Sequence, residues 1–113
     1  MDKIELYRQY IKQVLNNHAQ GYHAPNAEEY QEELIIDDAH GHYLIMGVGW
    51  QKYKRLHGIN LHIDLLGDKI YIQQDWTEAG AALELEALGV PKSDIVLAFQ
   101  APYRRALMED YAV

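Results

Sequence analysis

The chain has 113 residues, 49% apolar and 24% charged, which fits one domain with a real core and leaves little room for a second. Its formal net charge of −7 argues against autonomous gripping of duplex DNA, for which a basic face is the usual footprint. There is no cysteine, which excludes disulfides, thiolate metal sites and a cysteine nucleophile.

Asp2 to His18 carries Ile4, Tyr7, Ile11, Val14 and His18 at three- and four-residue steps, with Leu15 beside them. The spacing predicts a helix packed on its own sheet. Asp2 is the expected N-cap, with Glu5 at capping-box distance. Asn16-Asn17 and Gly21 mark its end. Gln20 to Glu29 reads as a loop, because Gly21, Pro25 and Asn26 break regular structure. His18 and His23 near it are expected to be solvated or capping.

Tyr30 to Asp37 alternates in part and predicts a first strand. Asp38-Ala39-His40-Gly41 is a turn, with glycine supplying the positive φ. His42 to Trp50 is the second strand. Leu44, Met46, Val48 and Trp50 share one face; Tyr43, Ile45, Gly47 and Gly49 share the other. Apolar residues on both faces predict a strand covered on both sides. The two glycines leave room for a helix or an aromatic ring. Gln51 to Arg55 is the only concentrated basic run and forms the expected turn into strand three. Lys52, Lys54 and Arg55 there, with Arg104 and Arg105 if the tail folds close, make a candidate basic patch for phosphate or an acidic partner.

Gly58 is the expected bulge. From Ile59 the alternation is clean, with Ile59, Leu61, Ile63 and Leu65 facing the core. Gly67-Asp68 fits a two-residue hairpin turn. That turn pairs Leu66 with Lys69, Leu65 with Ile70, Ile63 with Ile72 and Leu61 with Gln74. The opposite face gathers Asn60, His62, Asp64, Tyr71 and Gln73. Asp75 as N-cap with Glu78 three residues on predicts a helix ending at Gly89, with Ala82, Leu85 and Leu88 on its core face. Ile95 to Phe99 is a short buried segment, and Pro102 to Val113 is a tail laid over the sheet.

His62 and Asp64 point the same way from one strand. They offer half of a metal site, or a base with its orienting acid. Polar alternation is also what any half-exposed antiparallel strand shows. His40 and His42 repeat at the same interval but need a third strand to join them. Phosphate loops, zinc-protease helices and nucleophile elbows are absent. No catalytic residue, cofactor or resident metal is assigned from the sequence.

Several segments in combination, namely Val48-Gly49-Trp50, Leu61-His62-Ile63-Asp64, Ile70 to Asp75, Thr77-Glu78 and Leu88 to Leu97, resemble the XisI family. So do the opening Met1-Asp2-Lys3 with Tyr7-Arg8 and the closing Tyr111-Ala112-Val113. The chain departs from the family pattern at Ala98 and Gln100, where glycine and histidine are common, and at Trp76, where a smaller residue is usual. These are the fdxN element excision controlling factors of cyanobacteria. The resemblance implies a small α+β protein with a role in developmentally regulated DNA excision during heterocyst differentiation. It implies partnership with XisH and a site-specific recombinase, and no enzymatic activity.

The expectation is therefore one α+β domain over residues 1–113. The N-terminal helix and a helix over about Asp75–Gly89 pack on one side of a four-stranded antiparallel meander. The expected function is that of a non-catalytic accessory factor acting by protein–protein contact with an XisH-like protein or recombinase. Its candidate contact surface is Asn60, His62, Asp64, Tyr71 and Gln73. Two rival readings are an enzyme component using His62 and Asp64, and weak DNA binding through the basic patch. The oligomeric state is open, a twofold homodimer being the commonest arrangement. No run is long and apolar enough for a membrane, and Met1–Glu5 lacks the character of a signal peptide, so a cytoplasmic location is expected.

Overall fold

A computed structural model of the chain describes residues 2–19, 29–78, 80–108 and 110–113. The expected Gln20–Glu29 loop, with His23, falls almost wholly outside them. The elements run α1 (Lys3–Ala19), β1 (Glu29–Asp37), β2 (His42–Gln51), β3 (Lys54–Leu66), β4 (Lys69–Asp75), α2 (Ala81–Leu88), a 3-10 turn (Lys92–Asp94), β5 (Ile95–Leu97) and α3 (Pro102–Arg105).

The α1 stripe is as the periodicity predicts: Tyr7, Ile11, Val14 and Leu15 are buried. Asp2 Oδ1 caps the helix by accepting the Glu5 N–H at 2.9 Å. His18 is not merely solvated. Its Nε2 lies 2.8 Å from Glu84 Oε1 and ties α1 to α2.

The sheet has five strands in the order β1-β2-β3-β4-β5, not four. The first four form the predicted antiparallel meander. β5 adds a parallel strand, pairing Ile70 with Ile95 and Ile72 with Leu97. The apolar run Ile95–Leu97 reaches this edge because α2 carries the chain back along the sheet, a crossover that a short segment alone does not announce. The tail lays Ala112 beside Val96 as an isolated bridge.

Both long helices cover one face. The core joins the α1 stripe to Tyr43, Ile45, Leu61, Ile63, Ile70 and Ile72, with Leu85 of α2. The other face of β2 is not covered as expected. Leu44, Met46 and Val48 are half-buried and Trp50 is exposed, because no element crosses that side among the described residues. Gly47 does make room for an aromatic ring: a Cβ there would meet the Tyr30 hydroxyl at 2.0 Å.

The second helix starts later than the Asp75–Glu78 spacing predicts. Gly80 has φ 86, a left-handed conformation that no α-helix contains, so the helix begins at Ala81. Asp75 ends β4 yet still caps α2 at a distance, accepting the Ala81 N–H on Oδ2 at 2.7 Å and the Thr77 N–H on Oδ1 at 2.9 Å.

Candidate functional site

Two β-bulges organise the open face. From the turn at Lys52–Tyr53, β2 and β3 pair regularly from Gln51↔Lys54 to Met46↔Ile59. A ladder carried on unbroken would set His42 against Ile63 and put an apolar residue on the wrong side. The register instead shifts by one between Ile45 and Met46, so that Ile45 pairs with Leu61 and His42 with Asp64. Asn60 is the extra residue, and the expected bulge at Gly58 is a regular pair with Gly47. The hairpin of β3 and β4 holds its predicted register as far as Ile63↔Ile72. Then Gln73 is skipped, so Leu61 faces Asp75 and not Gln74. Bulges of this kind re-aim side chains.

The consequence is a cluster of His42, His62, Asp64 and Gln73. His42 Nδ1 and His62 Nε2 each lie 2.8 Å from the same atom, Asp64 Oδ1. Gln73 Nε2 donates to Asp64 Oδ2 at 3.1 Å. A carboxylate only accepts, so each contact is a hydrogen bond in the form with a proton on His42 Nδ1 and on His62 Nε2. The two rings stand 6.4 Å apart, edge to face. The hydrogen bond to Asp64, then the charge of Asp64, raises the His42 pKa above the ordinary imidazole value against the opposing effect of burial, with the Asp37 charge adding least. Asp64 is 7% exposed although it faces the open side. Tyr71 stands opposite it across β3 and β4 and is half-buried.

Of the five residues predicted for this surface, His62, Asp64 and Gln73 touch, and Tyr71 adjoins them. Asn60 does not. As the bulged residue it shares the side of Leu61, where its Nδ2 donates to the Tyr30 hydroxyl at 2.7 Å and to Glu32 Oε2 at 3.1 Å. There it helps line an open groove of ≈ 500 Å³ with Tyr30, Gly47, Gln74 and Trp76 among its walls. His42 was missed. Its alternation with His40 was visible, but its partner depends on the β2–β3 register, and hence on where the bulge falls. His40 itself turns away to Asp37, Nδ1 to Oδ2 at 2.9 Å.

The basic residues fall on two different elements. Lys52 and Lys54 are exposed at the β2–β3 turn, and the Arg55 guanidinium lies over the Trp50 ring at 5.1 Å. Arg104 and Arg105 belong to α3. No ion pair or hydrogen bond among the described residues links the two groups.

A family model described as XisI protein matches residues 1–113. Among solved structures, two that cover nearly the whole chain are similar to it. One is a XisI-like protein from Anabaena variabilis, 34% identical, with TM-score 0.88, covering 97% of this chain and 99% of its own. The other is the fdxN element excision controlling factor XisI from Anabaena variabilis, 31% identical, with TM-score 0.82, covering 98% of each chain. No curated protein matches the chain.

Proposed function

The chain belongs to the XisI family, and from that premise we propose that it is a non-catalytic excision-controlling factor that works by binding a protein partner through the open face of its sheet. The observation that carries this reading is the one-sided fold. Two helices bury one face of the sheet, while the other leaves Leu44, Met46, Val48 and Trp50 wholly or partly accessible beside the His42–His62–Asp64 cluster. An apolar patch rimmed by polar groups is the usual form of a contact surface.

The partner we favour is an XisH-like protein or a recombinase. A net charge of −7 complements a protein that handles DNA and so carries basic surface. The same charge opposes direct contact with the duplex, and Arg55 is already engaged with Trp50 and, through Nη1, with the Gly49 carbonyl at 3.4 Å. The 31% identical relative named fdxN element excision controlling factor supports the assignment of this chain to the same process.

The test is co-expression with an XisH-like protein followed by gel filtration at micromolar concentration. The expected result is one shared peak, lost on Met46→Glu with the fold intact by circular dichroism. Separate elution of the two wild-type proteins overturns stable complex formation.

A further inference from the structure

The two carboxylates with 7% exposure are compensated in opposite ways. Asp94 has permanent cations, with Lys3 Nζ at 2.8 Å and Lys69 Nζ at 3.9 Å. Asp64 has no lysine or arginine among the described residues. Its ion-pair partners are His42 and His62, which carry charge only when protonated. A buried carboxylate without a fixed cation is costly.

We propose that His42, His62 and Asp64 bind one zinc-class divalent ion, a property independent of the partner-binding reading above. The three donor atoms lie within 4.8 Å of one another. They come from adjacent strands, His42 and Asp64 being direct cross-strand partners and His62 two residues back on the same face. Zinc sits about 2.0–2.2 Å from nitrogen and oxygen ligands, so donor atoms about 3–3.5 Å apart enclose it. The ion takes the place of the shared protons, opening the 2.8 Å contacts by a few tenths and drawing the two rings together. Two imidazoles with one carboxylate suit zinc, cobalt or nickel, and not the all-oxygen preference of calcium or magnesium. Gln73 holds Oδ2 and leaves Oδ1 aimed at the rings, the outer-shell support that metal-binding carboxylates receive. His42 is exposed, which gives the ion a way in. Three protein ligands leave a coordination position directed to the open face, free for water or a donor from another molecule.

The experiment is calorimetric titration of ZnCl2 into chelator-stripped full-length protein, with Co2+ absorption spectra as a second readout. One ion per chain is expected, with visible ligand-field bands for cobalt and a rise in Tm on adding zinc. His42→Ala, at an exposed position, and His62→Ala each weaken binding by at least tenfold and abolish the cobalt bands. Gln73→Ala weakens it by about tenfold, as outer-shell changes do. His57→Ala, on β3 outside the cluster, leaves affinity unchanged. If His62→Ala unfolds, His42→Ala decides alone. Absence of zinc and cobalt binding, or binding undiminished in folded His42→Ala, overturns the proposal.

Discussion

At the scale of single residues, two turn glycines separate conformation from space. Gly41 has φ 72, and a Cβ there would meet the Leu65 carbonyl oxygen at 2.2 Å. The Gly41 carbonyl also accepts the Leu65 N–H at 2.8 Å, clamping the β1–β2 turn to β3. Gly67 has φ 61 with nothing within 4 Å of that position. Gly41→Ala is therefore expected to cost about 2–4 kcal/mol, strain plus collision, and Gly67→Ala about 1 kcal/mol, strain alone. Urea denaturation of both variants checks this, and equal costs would show that space at Gly41 is irrelevant.

At the scale of elements, β2 separates the two faces of the sheet within adjacent positions. Ile45 is fully buried under α1, whereas Leu44 is half-buried on the open side. Ile45→Ala should cost about 2–5 kcal/mol and Leu44→Ala about 1 kcal/mol, read from chemical unfolding. Alternation made the two faces of β2 legible in the sequence, but not that one stays open, since both are apolar. The hairpin through Gly67-Asp68 was legible because apolar partners match up to Ile63↔Ile72. The bulges were not. Asn60 and Gln73 are polar residues in strands that already alternate, and neither carries a local signal that it is the residue to be skipped. The candidate site was thus half visible: His62, Asp64 and Gln73 lie on one hairpin, but His42 enters only through the neighbouring ladder. The start of α2 was misplaced because Asp75 and Glu78 have capping-box spacing, while the positive φ of Gly80 decides the boundary.

At the scale of the whole molecule, carboxylates anchor the helical layer to the sheet and its connections. Lys12 Nζ lies 2.8 Å from Asp38 Oδ2, and the Tyr43 hydroxyl donates to Asp38 Oδ1 at 2.8 Å. Tyr7 donates to Asp94 Oδ2 at 2.5 Å beside Lys3. The hydrogen bond from Lys12, then that from Tyr43, lowers the pKa of Asp38. Burial raises that of Asp94, but the bonds from Lys3 and Tyr7 outweigh it and the net shift is downward. Burial and the bond to Asp38 push the Tyr43 hydroxyl up to about 12, so it remains a donor at neutral pH. The folded carboxylates bind protons less readily than the unfolded ones. Their stabilisation is therefore present above the unfolded value of about 3.9 and is lost as pH falls through the depressed folded values. Urea unfolding should show stability falling from pH 4 towards pH 2. Asp94→Asn should be less stable at pH 7 and converge on the wild type in acid. A constant gap across that range would place the contribution of Asp94 outside its charge.

The two bulges also set where the chain can change length. Asn60 is unpaired in the β2–β3 ladder and Gln73 in the β3–β4 ladder, so losing either keeps His42 against Asp64 and Ile63 against Ile72. The loss costs only the bonds of the lost residue, Asn60 to Tyr30, Glu32 and Trp76 or Gln73 to Asp64. Losing one residue between those points turns every later side chain of the strand to the opposite face. A change of length at either position thus leaves both registers in place, while the hairpin between them must keep its count.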